Sequence, residues 1–228
     1  TIFDLDLDRV KEIFKVGLPA ALEQVIFQIG ITAFLILVAY YGTEAYAAYG
    51  IGVQILSFSF VIGFGFSIAG ATLVGQHLGA KNKNQAKRAG WGAMRLSIVS
   101  MTFFGVIIAT FAEPLARFMI DNDEVVRLTV IFIWLLGSMQ PLMAIEFSLG
   151  GALRGAGDTK TPLAITLTCL LFIRVFLAVI FFLLDASIEI IFSTLLADYI
   201  VKGFLYVSRF RSDKWMNVLK IKEVDQQP

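Results

Sequence analysis

Cysteine and histidine, the residues most used for metal binding and catalysis, are scarce in this chain. It contains one cysteine, Cys169, and one histidine, His77, among 228 residues. A lone cysteine inside an apolar run excludes disulfides and thiolate metal sites, and a lone histidine excludes zinc clusters and histidine-based triads. No paired metal-ligand motif replaces them, so we expect no enzyme activity, no resident cofactor and no firm metal site.

Charge is also scarce, and the two signs balance. The chain has 19 Lys and Arg against 18 Asp and Glu, a formal net charge of +1. This excludes the broad positive field that nucleic-acid binding requires. Charged residues make up 16% of the chain and hydrophobic residues 57%, whereas soluble domains average roughly 25% charged residues. With a mean hydropathy of +0.78, the composition indicates a protein in contact with membrane lipid.

Apolar runs long enough to cross a membrane occur six times. A span needs about 20 mostly apolar residues at about 1.5 Å rise per residue. We therefore predict an all-α integral membrane protein, with a cytoplasmic lead-in at 1–15, a six-helix transmembrane lobe at 16–209 and a cytoplasmic tail at 210–228. The predicted spans are Val16–Tyr41, Tyr46–Leu78, Gly90–Phe111, Val126–Leu149, Leu163–Leu184 and Ile188–Val207.

The distribution of Lys and Arg orients these spans. Six spans put both termini on one side, and cytoplasmic loops are enriched in Lys and Arg. The loops opposite the termini carry only Arg117 and Arg127, beside four acidic residues. We therefore expect a multi-pass protein of the plasma (inner) membrane with both termini cytoplasmic. The basic residues on the terminal side are Arg9, Lys11, Lys15, Lys81, Lys83, Lys87, Arg88, Arg154, Lys160, Arg209, Arg211, Lys214, Lys220 and Lys222.

Two glutamates lie within the predicted spans. An ionisable side chain at membrane depth costs about 2.5–3.5 kcal/mol on insertion scales. Glu23 lies about seven residues, or roughly 10 Å, inside the first span, and Glu146 lies at a similar depth in the fourth. A buried carboxylate favours its neutral form unless a cation compensates it. Because no residue near Glu23 in sequence neutralises it, both carboxylates are candidate ion-coupling groups. The alternative is that each bonds a neighbouring helix or faces a wet crevice.

Polar and methionine side chains follow these carboxylates at helical spacing. Gln24 and Gln28 form a stripe that must face protein or a water-filled cavity in the membrane. Met139 and Met143 share a helix face with Glu146, and methionines make adaptable walls for varied ligands. We predict that these four side chains line a substrate cavity, although simple packing is the alternative for the methionines.

Three further charges are predicted to form a structural network. Arg174 and Asp198 lie near the middle of the fifth and sixth spans, and Lys202 follows Asp198 at spacing four. Opposite charges at one depth are natural partners that fix helix packing. Small residues on the second span, some at spacing four such as Gly65 and Ala69, predict a close helix–helix interface. They are Gly63, Gly65, Ala69, Gly70 and Ala71.

Four phrases of the sequence resemble those of one transporter family. They are Gly17-Leu18-Pro19-Ala20-Ala21-Leu22-Glu23-Gln24, Gly75-Gln76-His77-Leu78-Gly79-Ala80, Leu153-Arg154-Gly155-Ala156-Gly157-Asp158-Thr159-Lys160-Thr161-Pro162 and Arg209-Phe210-Arg211-Ser212-Asp213-Lys214-Trp215. Their order and spacing are similar to those in the C-terminal half of multidrug and toxic compound extrusion (MATE) transporters.

This resemblance implies that the chain is one half of a larger transporter. MATE transporters have twelve helices in two six-helix lobes around a cavity, and they exchange Na⁺ or H⁺ for cationic drugs and metabolites. The resemblance therefore implies that this chain supplies half of a cation-coupled multidrug efflux antiporter. Its expected partners are the missing N-terminal lobe or a second copy of itself, membrane lipid and small organic cations.

The resemblance leaves the coupling ion and its site open. One branch of the family has a carboxylate on the corresponding helix where Met143 stands here, and its other glutamate aligns nearer Phe27 than Glu23. Two alternatives also remain: a flippase for lipid-linked oligosaccharides or cell-wall lipids from the same superfamily, and a non-transporting fragment. A flippase is expected to line its cavity with several arginines, and only Arg174 lies deep in a predicted span.

Overall fold

Helices make up all of the regular structure in the described residues. The computed structural model describes residues 7–218, and no strand occurs among them. Residues 1–6 of the predicted lead-in and 219–228 of the predicted tail, with Lys220 and Lys222, lie outside the described residues. The helices are α1 Leu7–Ala39, α2 Thr43–Gly79, α3 Lys83–Thr110, α4 Ala112–Met119, α5 Asp123–Ser138, α6 Gln140–Gly155, α7 Lys160–Thr168, a π-helical segment Cys169–Val175, α8 Phe176–Leu183, α9 Ile188–Arg211 and a 3-10 helix Lys214–Asn217.

These helices provide the predicted number of spans. Five stretches are long and apolar enough to cross a membrane alone: Ile13–Ala39, Thr43–Gly79, Lys83–Thr110, Lys160–Leu183 and Ile188–Arg211. The sixth span is divided between α5 and α6, which meet at Met139 with a bend of 53°. Pro141 lies in the first turn of α6, where its missing N–H costs no helical hydrogen bond. The prediction of an all-helical membrane lobe is confirmed, with the fourth span broken rather than continuous.

The two ends of the lobe are defined by different contacts. At the end formed by the α2–α3 and α6–α7 turns and the C-terminus of α9, here called the basic end, Arg209 Nη2 lies 2.6 Å from Asp158 Oδ2. At the opposite end, the hydroxyl of Tyr41 donates a 2.9 Å hydrogen bond to the carbonyl of Ala186. Hydrogen bonds from Arg117 to the carboxylates of Asp123 and Glu113 raise the pKa of its guanidinium there.

Glycine backbones bring α2 and α6 into close contact. A Cβ added at Gly151 would overlap the backbone of Ser67, and one at Gly155 would overlap that of Ala71. A Cβ at Gly70 would lie 3.0 Å from the carbonyl oxygen of Ser148. Such close approach of small residues is how helices associate without a hydrophobic driving force in lipid. The two helices are therefore fixed against each other along most of α6.

The stripe expected at Gly65 and Ala69 is not the packed one. Both residues are exposed, and a Cβ at Gly65 would meet no atom within 4 Å. The buried glycines in this stretch of α2 are Gly63 and Gly70, seven residues apart. Since seven residues are about two helical turns, this pair lies on one face and Gly65 lies on another. The predicted interface exists and involves Gly63, Gly70 and Ala71 of the predicted set, whereas Gly65 and Ala69 lie outside it.

Candidate functional site

A cavity of about 300 Å³ opens on one side of the lobe, between α1 and the packed helices α2, α5 and α6. Most of its wall is apolar, and seven of the side chains are aromatic. The charged groups in the wall are two glutamates and two arginines. The cavity is lined by Glu23, Gln24, Phe27, Ile31, Tyr49, Val53, Phe60, Phe64, Ser67, Phe132, Leu136, Met143, Glu146, Phe147, Arg154, Thr166, Arg174, Leu195 and Tyr199.

Helix α1 presents one face to this cavity. Glu23, Phe27 and Ile31 follow each other at spacing four and line the wall, with Gln24 at the edge of the same face. Gln28 is exposed and is not among the lining residues, which corrects its assignment to the cavity. The physical reason is that each residue turns a helix by about 100°, so Gln28 lies about 100° from Phe27, the middle of the lining face, whereas Gln24 lies only about 60° from it.

Glu23 is not the uncompensated charge that the sequence suggested. Its side chain is buried, and its Oε1 accepts a 2.6 Å hydrogen bond from Nη2 of Arg154. Nε of Arg154 donates to Oε2 at 3.3 Å, and the hydroxyl of Thr166 donates to Oε1 at 3.3 Å. Glu23 therefore joins α1 to α6 and α7 by a forked ion pair. Arg154 was assigned to the cytoplasmic turn, but its long side chain reaches into the cavity wall.

A second group of charges lies on α6, the π-helical segment and α9. Here it is called the charge cluster, and it consists of Glu146, Arg174, Asp198 and Lys202. Nη2 of Arg174 lies 2.5 Å from Oδ2 of Asp198, and Nζ of Lys202 lies 3.3 Å from the same oxygen. Lys202 and Asp198 are completely buried, and Arg174 is nearly so. The structure thus brings together the three charges predicted to form a network.

Glu146 is the fourth member of the charge cluster. Its Oε1 lies 3.4 Å from Nζ of Lys202, and its side chain is 20% exposed at the cavity wall. Glu146 therefore connects the cavity to the buried cations behind it. The sequence made Glu146 and Glu23 candidate ion-coupling groups, with bonding to a neighbouring helix as the alternative. In the structure each has a cationic partner on a neighbouring helix.

Only one of the two predicted methionines reaches the cavity. Met143 is part of the wall, whereas Met139 is fully buried in the core at the junction of α5 and α6. The prediction for Met139 was wrong because the fourth span bends there, so Met139 packs between the two helices instead of continuing the face of Met143.

Sequence reasoning missed two features of this wall and one buried residue outside its lining. Arg154 was counted only as a loop charge, the wall aromatics such as Phe64 and Phe147 (ring centroids 5.0 Å apart) were not singled out, and Tyr206 was not considered. Tyr206 is fully buried and lies behind this wall. An aromatic at spacing four after Lys202 was the only available signal for it.

A six-span helical lobe with a one-sided, aromatic-lined cavity and compensated charges is typical of membrane transport proteins. The sequence model of the MatE family matches residues 19–180, and the chain belongs to that family. Relatives include the probable multidrug resistance protein NorM of Thermotoga maritima, 36% identical over 214 residues. The probable multidrug resistance protein NorM of Mannheimia succiniciproducens is 30% identical over 161 residues.

The chain spans less than half the length of these curated relatives. The Thermotoga match covers 90% of this chain and 44% of the relative, and the Mannheimia match covers 70% and 34%. The fold is similar to that of the MATE transporter ClbM in complex with Rb⁺, with a TM-score of 0.85, 20% identity, and coverage of 92% of this chain and 50% of that one. The eukaryotic MATE transporter AtDTX14 gives a TM-score of 0.82 at 20% identity, covering 95% and 49%.

Proposed function

We propose that this chain is one lobe of a cation-coupled multidrug efflux antiporter, which exchanges Na⁺ or H⁺ for small organic cations. The observation that carries the proposal is the one-sided, aromatic-lined cavity with Glu23 and Glu146 in its wall. Faces of aromatic rings attract organic cations and tolerate varied shapes. We further propose the plasma (inner) membrane as its location, with both termini cytoplasmic, because of the Lys and Arg distribution.

Coupling is proposed to act through the Glu23–Arg154 pair. A proton or a Na⁺ ion that binds Glu23 competes with Arg154 for the same carboxylate. Because Glu23 is on α1 and Arg154 on α6, this competition weakens the only described ion pair between those two helices. Changing the compensation of a carboxylate at this depth is worth a few kcal/mol, on the order of the difference between two transporter conformers.

A second lobe is proposed to complete the transport path. Gln24 and Gln28 on α1 are exposed in this lobe, and amides exposed at membrane depth require a protein or water partner. The missing N-terminal lobe, or a second copy of this chain, would supply that partner and close the open side of the cavity.

A lipid flippase is the second candidate function. The cavity contains two arginines rather than the one expected from the sequence, and a second arginine favours a flippase. Both arginines are paired with carboxylates, Arg154 with Glu23 and Arg174 with Asp198. Neither is a free cation for the phosphate of a lipid-linked sugar, and this pairing favours efflux.

The test is transport by the assembled transporter in proteoliposomes. We expect a fluorescent organic cation to be moved faster when an inward Na⁺ or H⁺ gradient is imposed than when neither is present. A short-chain lipid-linked sugar serves as the flippase probe in the same vesicles. Movement of that lipid, with no gradient-dependent movement of the organic cation, would favour the flippase.

A further inference from the structure

The ammonium group of Lys202 lies where two carboxylates from different helices converge. Its Nζ is 3.3 Å from Oδ2 of Asp198 on α9 and 3.4 Å from Oε1 of Glu146 on α6. The side chain is 0% exposed. Two aromatic rings face the same nitrogen, with centroids at 5.3 Å for Tyr199 and 5.8 Å for Phe27. This is the surrounding that a small bound cation has in a protein: carboxylate oxygens and ring faces in a buried position.

Lys202 is bound there by charge rather than by directed hydrogen bonds. Nζ has no hydrogen-bond partner of good geometry among the described residues, and neither do the two carboxylate oxygens of Asp198. An ammonium normally donates three hydrogen bonds when it is buried. Its contacts are therefore those of a spherical cation between two anions.

The charges of the cluster balance only when Lys202 is counted. Arg174 and Lys202 contribute two positive charges, and Asp198 and Glu146 contribute two negative charges. Without Lys202 the cluster has one uncompensated negative charge in a buried position. A buried net charge of that size is neutralised by one proton or one monovalent cation.

The position of the Lys202 ammonium adjoins the cavity wall. Glu146, Arg174 and Tyr199 belong both to the cavity wall and to the surroundings of Lys202. Asp198 and Lys202 lie directly behind that wall, because they contact Arg174 and Glu146 respectively.

We propose that Lys202 is a tethered cation: its ammonium occupies a site between Asp198 and Glu146 that, without it, binds a free monovalent cation such as Na⁺. This inference rests on the proposed cation coupling and names the residue that sets the ion choice at this position. With Lys202 in place the site excludes Na⁺. Glu146 then responds to ions only when its contact with Lys202 is broken, which leaves Glu23 as the carboxylate able to exchange its partner.

The test replaces the ammonium and measures ion binding. Lys202→Met keeps the length of the stem but removes the charged end, so it vacates only the place of Nζ. We expect the purified, assembled transporter with Lys202→Met to bind about one more ²²Na⁺ per chain than the wild type, since the net charge left is one. Lys202→Arg retains a tethered cation and is expected to bind no additional Na⁺.

A charge-neutral double variant is the matched control. In Lys202→Met combined with Asp198→Asn, Arg174 and Glu146 balance each other, and the additional Na⁺ binding should disappear. Equal ²²Na⁺ binding by the wild type and Lys202→Met overturns the proposal, as does Na⁺ binding by the wild type that Asp198→Asn removes.

Recovery of the protein gives a second measurement where Lys202→Met is unstable. Folding in NaCl but not in N-methylglucamine chloride supports a Na⁺ site. Failure in both salts, while the double variant folds, means that Na⁺ cannot replace the ammonium and contradicts the proposal. These binding readouts do not depend on transport, so a failure of drug efflux would count against the proposed function and leave the ion site to be judged separately.

Discussion

Single residues in this lobe show a consistent pairing of buried charges across helices. Glu23 pairs with Arg154, Arg174 with Asp198, and Lys202 with Glu146. A buried charge without a partner costs several kcal/mol, whereas a pair recovers much of that cost. Pairing between helices therefore links the electrostatics of the cavity wall to the positions of the helices.

The Glu23–Arg154 pair is expected to couple the two residues energetically. Glu23→Gln and Arg154→Gln should each lower the stability of the lobe, because each leaves the partner's charge uncompensated. Together they should cost less than the sum, with a coupling energy of about 0.5–3 kcal/mol. Thermal or denaturant unfolding of the four proteins in detergent measures it.

An exposed pair in the same chain is the control for that cycle. Arg127 and Glu124 lie 2.7 Å apart, with both side chains about half exposed (51% and 53%). Their coupling should stay below about 1 kcal/mol, as for other solvent-exposed pairs. A Glu23–Arg154 coupling no larger than this would mean that the pair is incidental.

The site was predictable from the sequence only in part, because some of its contacts depend on how far a long side chain extends from its helix. Arg174, Asp198 and Lys202 could be brought together because each is too costly to leave alone in lipid, and Asp198 and Lys202 are one turn apart. The partner of Glu23 is 131 positions away, on a residue that counting loop charges assigns to the cytoplasm. Long side chains extend towards the N-terminus of their own helix, so Arg154 reaches back into the lobe.

At the scale of elements, the contact of α2 with α6 is the rigid part of the lobe. Gly151→Ala or Gly155→Ala would place a methyl group against the backbone of α2, which cannot move aside as a flexible side chain can. We expect each change to lower stability by about 1–3 kcal/mol or to prevent folding. Thermal unfolding monitored in detergent tests this expectation.

Gly65→Ala is the matched control on α2. Its new methyl group would meet nothing within 4 Å, and alanine favours a helix over glycine by about 0.5–1 kcal/mol. The variant should therefore be as stable as the wild type or slightly more so. If Gly65→Ala is as harmful as Gly155→Ala, the close contact is not what stabilises this helix pair.

The sequence predicts helix boundaries well where hydropathy determines them. It predicts them poorly where local backbone geometry determines them. The six apolar runs predicted the spans because hydrocarbon requires about 20 residues to cross. The break at Met139 had a signal, since Pro141 cannot sit inside a helix without loss of a hydrogen bond. The π-helical segment Cys169–Val175, which carries Arg174, had none: its apolar run fits an α-helix equally well.

The topology of the whole molecule follows from the contrast in Lys and Arg content between its two ends. Cys169 is buried, so introduced cysteines can be labelled selectively. Labelling requires exposed positions. Asn84, Lys160 and Asp121 are exposed, whereas Asp158, in the α6–α7 turn, is buried against Arg209 and would not be labelled. Cysteines at Asn84 and Lys160 should react with impermeant reagents only from the cytoplasm, and one at Asp121 only from outside. Outside labelling at Asn84 would reverse the orientation.

Whether one lobe can transport without a second is tested with the isolated chain. A single lobe leaves its cavity open on one side and Gln28 exposed, so we expect the demonstrably monomeric chain in liposomes to move no drug. Activity should return when the chain is joined to its other lobe or pairs with a second copy. Drug efflux by the monomer would show that one lobe is sufficient.

The central claim is that Glu23, released from Arg154 by a coupling ion, drives efflux. The most direct measurement compares wild type with Glu23→Gln in the assembled transporter, in proteoliposomes with imposed Na⁺ or H⁺ gradients. Glu44→Gln, an exposed change at the opposite end, is the control. We predict that Glu23→Gln still binds the organic cation but loses gradient-driven efflux, while Glu44→Gln behaves as wild type. Normal efflux by Glu23→Gln under both gradients would contradict the account.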